Sequence, residues 1–103
     1  MKQAKYTVDY FIRKFKAIPK NRWCVNRYKI GVRRCAIGHT CKFATDGDPI
    51  FTRESDELNR IFRGMNVAAV NDGDEGCDYK KRFGKTPRAR ILEALRWIKG
   101  KSK

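Results

Sequence analysis

Histidine occurs once in this chain, proline three times, and acidic side chains are outnumbered more than two to one, 11 Asp and Glu against 25 Lys and Arg in 103 residues. No run approaches the roughly 20 apolar residues that span a bilayer, so no membrane segment is expected. The stretch MKQAKYTVDYF turns amphipathic at once and lacks the ~7–15-residue apolar core of a secretory signal. Internal repeats and low-complexity tracts are absent. The four cysteines lack the tight Cys-x2-4-Cys spacing of a zinc knuckle. These absences favour a cytoplasmic chain with reduced thiols, in which cysteine is a free thiol or a metal ligand and not part of a disulfide framework.

The charge that is present is unevenly placed. Residues 1–34 hold eleven basic residues and one acidic (+10), 35–79 hold four and nine (−5), and 80–103 hold ten and one (+9), for a net +14. Two basic ends around an acidic middle predict a positive surface suited to phosphates or to an acidic protein. With 41% hydrophobic residues, 1–103 is enough for one domain with one core. Residues 101–103 read as a frayed basic tail.

Hydrophobic periodicity places three helices. Val8, Phe11, Ile12, Phe15 and Ile18 form one face after a capping Thr7, and Pro19 stops it. Leu58, Ile61, Phe62 and Met65 form a second stripe after Thr52, with Gly64 at its end. Thr86-Pro87 opens a third helix, with Ile91, Leu92, Leu95 and Ile98 inward and Gly100 as its end. WCVNRYKIGV (23–32) reads as an irregular hairpin centred on Lys29-Ile30, which sets Cys24 opposite Cys35. CAIGHTCKFA (35–44) reads as one or two helical turns, TDGDP (45–49) as a loop, VAAV (67–70) as a buried strand or extended segment, and KKRFGK (80–85) as a basic loop. The fold class is a helix-rich α+β domain with a short hairpin or small sheet.

Three constellations carry candidate chemistry. Cys24, Cys35, His39 and Cys41, with Cys77 as a fifth soft ligand, could surround zinc; no other cofactor is expected. Cys35 beside His39, oriented by Asn71 or Asp72, has the composition of an activated thiol, although no substrate groove or oxyanion device is readable. Together with Trp23 these residues also suit a nucleotide pocket. Asn71-Asp72-Gly73 reads as a turn that offers two side chains and free amides to a pocket or to the CAIGH segment. NDGDEGCD (71–78) lacks the closing Glu of a calcium loop and reads as solvated. Finally, Arg13, Lys14, Lys20, Arg22 and Arg27 at one end, and Lys80, Lys81, Arg82, Lys85, Arg88 and Arg90 at the other, form a candidate polyanion surface. Tyr28, Tyr79 and Phe83 are interleaved for stacking on bases. The Thr86-Pro87 helix start, beside Lys85 and Arg88, is a candidate phosphate seat.

Taken in order, DYFIRKFKAIP (9–19), WC (23–24), CAIGH (35–39), VNDG (70–73) and TPRARILEAL (86–95) resemble a group of small phage and prophage proteins of uncharacterised function. The resemblance implies a mobile-element origin and a host-takeover or anti-defence role, such as an anti-CRISPR-type inhibitor in the host cytoplasm. It transfers no catalytic residue. Cys41 and Cys77 fall outside the shared pattern, which weakens a four-cysteine zinc site, and the positive charge departs from acidic DNA mimics. The expectation is a binding protein that acts on nucleic acid or an RNA- or DNA-containing host complex. The alternatives are a nucleotide-binding protein or small enzyme, and an inhibitor docking on an acidic protein surface.

Overall fold

The computed structural model describes residues 6–25, 28–62, 65–73 and 79–101. Among them run, in order, α1 (Val8–Lys16), β1 (Lys29–Ile30), β2 (Arg33–Arg34), β3 (Lys42–Phe43), β4 (Pro49–Ile50), α2 (Arg53–Phe62), α3 (Val67–Asp72), α4 (Tyr79–Phe83) and α5 (Pro87–Lys101). Single 3-10 turns at Lys20–Arg22 and Gly38–Thr40 join them. The architecture is the expected helix-rich α+β, with two separate antiparallel hairpins, β1–β2 and β3–β4. No helix among the described residues is long and apolar enough to cross a membrane.

The N-terminal helix forms for the reasons its sequence gives. The Thr7 hydroxyl accepts from the Tyr10 amide at 3.1 Å, and Asp9 lies in the positive first turn. Phe11 and Phe15 are fully buried in the same core as Ile91 and Leu95 of α5, against which α1 packs. The two helices run antiparallel. Lys99 near the end of α5 pairs with Asp9 at the start of α1, while Arg88 at the start of α5 donates to the carbonyls of Lys16 and Ile18 at the end of α1. Neither amphipathic helix is stable alone, so this packing is the main support of both.

The last helix is not one-sided. α1, α2, α3 and α4 all lie against it, so Arg90, Ile91, Leu92, Ala94 and Leu95 are buried together. Gly100 does not end it, and the helix continues to Lys101. The expected frayed tail at 101–103 lies partly, and the expected helix end at Gly64 wholly, outside the described residues.

The second hairpin was not expected, since Lys42–Phe43 is a strand where CAIGHTCKFA read as helical turns, and three further elements differ from the sequence reading. VAAV is a helix, not a strand: the Asn66 side chain caps it by accepting from the Ala69 amide at 3.2 Å, and Gly73 closes it at φ 67°. Val67 and Val70, three apart, then share the buried face. The basic stretch after residue 79 is also helical, because Tyr79 and Phe83, four apart, stack with centroids 5.9 Å apart on the side facing α5. The first hairpin turns at Gly31-Val32, not Lys29-Ile30, since Gly31 takes φ 61°. Cys24 is therefore not the cross-strand partner of Cys35. Trp23 instead bridges to Arg34, and the Cys24 amide donates to the Arg34 carbonyl at 3.2 Å.

Candidate nucleic-acid interface

CAIGH and VNDG come together through Asn71, as the sequence suggested, but from a helix end and not from a turn after a strand. The fully buried Asn71 accepts from the Ala36 amide at 3.0 Å and donates to the Cys24 carbonyl at 2.8 Å and to Asp72 Oδ1 at 3.0 Å. Its own carbonyl and that of Val70, two of the open acceptors at the end of α3, take N–H groups of Arg90 at 2.7 and 2.9 Å; Gly84 supplies a third acceptor. Gly73 and Gly38 allow this close approach. A Cβ on Gly73 would lie 2.8 Å from the Arg90 guanidinium carbon, and one on Gly38 would lie 2.1 Å from the Tyr28 carbonyl oxygen.

This network removes Arg90 from the polyanion surface. Its side chain is 2% exposed, its charge is spent on helix carbonyls, and burial lowers its pKa while Asp72 opposes the shift. Arg88 is largely committed as well, as a cap on the end of α1. Lys14 pairs with Glu54 at 2.6 Å. Arg27 lies outside the described residues. What remains exposed of the predicted set is Arg13, Lys20, Arg22, Lys80, Lys81, Arg82 and Lys85. None of these enters an ion pair among the described residues, where four form: Lys14–Glu54, Arg60–Glu57, Arg96–Glu93 and Lys99–Asp9. At the Thr86-Pro87 start, the Thr86 hydroxyl already takes the Ala89 amide.

The pocket residues separate into two places. Trp23 and His39 belong to an aromatic chain, with Phe15–Trp23 centroids 5.5 Å apart and Trp23–His39 5.0 Å apart. His39 Nε2 lies 3.0 Å from the Arg22 carbonyl oxygen, which can only accept, so Nε2 carries the proton. Burial, with Arg34 and Lys14 nearby, pulls the imidazole pKa down to about 4. Cys35 is buried and its thiol is pushed up to about 11, against the opposing pull of the Gly38 amide 3.4 Å from Sγ. A neutral imidazole committed to Arg22 and a protonated thiol are not a nucleophile and its base. Burial likewise raises the thiols of Cys24 and Cys41. Among the described residues no three His, Cys, Asp or Glu side chains converge as a zinc cage requires, so Cys24, Cys35, His39 and Cys41 are not assembled around one point; Cys77 lies outside those residues.

Cys35 and Asp72 instead line a cleft of about 460 Å³ between the hairpins, walled by Tyr28, Lys29 and Phe43. Tyr28 also lines a second hollow with Phe51, Asn59 and Met65. The Lys29 ammonium and the Arg34 guanidinium lie over the Phe43 ring, at 5.2 and 4.9 Å from its centroid. Sequence reasoning missed Lys29, Arg33, Arg34, Lys42, Phe43 and Phe51 as one face, because it expected one hairpin, not two, and Lys42, Phe43 and Phe51 lie outside the basic ends. The signal available was the cation–aromatic alternation of YKI and CKF. A second cluster joins α4 to α5: Arg82 stacks over Trp97 at 4.2 Å and Lys101 at 4.5 Å. Of the three aromatics expected to stack on bases, only Tyr28 is exposed; Tyr79 and Phe83 are core.

Comparison with protein-family models, with curated proteins and with solved structures gives no match to this chain.

Proposed function

We propose that this chain is a small basic binding protein that acts on nucleic acid or on a nucleoprotein complex. The observation that carries the reading is the charge left over after folding: Arg13, Lys20, Arg22, Lys80, Lys81, Arg82 and Lys85 are exposed and take no part in the ion pairs among the described residues. Charges that ion pairs within the fold do not consume are available to phosphates. Arg82 adds a planar guanidinium already ordered on Trp97, suited to bidentate phosphate contact. The resemblance to phage proteins supplies a setting, a host nucleoprotein target of an anti-defence inhibitor. The test is a binding titration of labelled duplex and single-stranded oligonucleotides at low salt. Replacing Lys80, Lys81 and Arg82 together by alanine is expected to weaken binding at least about ten-fold, with little change in melting temperature. Wild-type protein that binds no oligonucleotide at low salt ends the reading.

A further inference from the structure

Tyr28 is 39% exposed and Phe51 53% exposed, and their rings meet edge to face with centroids 5.8 Å apart. Folding gains little from leaving two aromatic rings in water; the other exposed aromatic among the described residues, Trp97, is covered by Arg82 and Lys101. Tyr28 stands between two open hollows, one shared with Lys29 and Phe43 and the other with Phe51. The surrounding charge is mainly positive: Lys29, Arg33, Arg34 and Lys42 lie on the two hairpins. The opposing acids are Asp72 in the first hollow and Asp46 and Asp48 at the β3–β4 turn, where Asp46 is occupied in accepting the Asp48 amide at 3.1 Å.

Half-exposed aromatic rings set among cations are what unstacked bases and their phosphates fit; a duplex keeps its base faces inside the stack and offers phosphates alone. A second copy of the chain is disfavoured, because pairing this face with itself sets four cations against four. Resting on the nucleic-acid reading above, we infer that the hairpin face is a binding site for single-stranded nucleic acid, with Tyr28 and Phe51 stacking on bases and Lys29 and Arg34 holding the adjacent phosphates.

The site is tested with labelled thymidine and uridine oligonucleotides and a duplex of the same length, titrated with wild type, Tyr28→Ala, Phe51→Ala, the double variant, and Tyr28→Phe. The backbone hydrogen bond from the Cys35 amide to the Tyr28 carbonyl survives each change, so the hairpin is expected to hold, and circular dichroism checks that it does. The inference requires tighter binding to single strands than to duplex, a loss of about ten-fold per ring removed, full retention in Tyr28→Phe, and unchanged duplex binding. Single-strand binding that ignores the double variant yet falls with the α4 triple variant overturns the hairpin site and leaves the general reading standing. A dimer in sedimentation that the double variant dissolves, or capture of poly-glutamate in place of oligonucleotides through the same two rings, also overturns it. No oligonucleotide binding by any form overturns both.

Discussion

At the scale of single residues, Asn71 has the widest reach. Its amide links the Cys24 and Ala36 segments to the end of α3, and its carbonyl holds Arg90. Asn71→Ala removes the buried acceptor of the Ala36 amide and a donor to the Cys24 carbonyl, which is expected to cost about 2–5 kcal/mol in a denaturant melt. Arg90→Met, which keeps the volume and removes the donors, is expected to fall in the same range. His39 predicts a pH effect. Folding holds its pKa at about 4, below the ordinary 6.5, so the unfolded chain takes up a proton first as the pH falls. Stability is therefore lost between about pH 6.5 and 4, by an amount on the order of 1–3 kcal/mol. His39→Gln should flatten melting temperature across that window; an unchanged slope would show that His39 does not set it, since Asp9, held below its ordinary 3.8 by Lys99, acts only at lower pH. None of the Asn71 network was readable as a network. The sequence offered Asn71 and Asp72 to a pocket or to CAIGH, because a buried run followed by Asn, Asp and Gly presents side chains at a chain reversal, and it did not choose between the two. It could not show that Arg90 would turn inward, since a buried arginine depends on carbonyls contributed by another helix.

At the scale of elements, long periodic segments were legible and short ones were not. α1 and α5 follow from apolar spacing over several turns, and their mutual packing follows from each needing the other's stripe. Phe15→Ala and Leu95→Ala are each expected to cost about 2–5 kcal/mol, because both side chains are fully buried. Equal melts of wild type and either variant would contradict the α1–α5 core. VAAV and KKRF are six- and five-residue helices, too short for a 3.6-residue period to differ from an apolar run or a charged loop. Their identity is decided by ends and neighbours: the Asn66 cap and Gly73 for α3, the Tyr79–Phe83 pair against α5 for α4. The hairpins failed for the opposite reason. With two-residue strands, register rests on the turn alone, and Gly31 was the only local signal.

At the scale of the molecule, the charge acts on stability and on binding in opposite directions, and salt separates them. The screening length falls from about 30 Å at 0.01 M to about 10 Å at 0.1 M. The radius of gyration is 13.2 Å, so at the lower salt the cations of a +14 chain repel across the whole body, while at the higher salt only near neighbours interact. Adding sodium chloride over this range is expected to raise the melting temperature, because self-repulsion is screened more than the ion pairs it also weakens. The Lys80/Lys81/Arg82→Ala triple variant takes the chain from +14 to +11, so its melting temperature should rise less with salt. Nucleic-acid affinity is expected to move the other way over the same range. For duplex DNA the logarithm of the binding constant should fall with a slope of about −0.9 per phosphate neutralised, and the triple variant should lose about two to three units of that slope. A melting temperature that falls with salt would place Lys14–Glu54 and Lys99–Asp9 above self-repulsion in the folded chain. A slope unaltered by the triple change would move the duplex contacts off α4 and onto the remaining exposed cations of the N-terminal half.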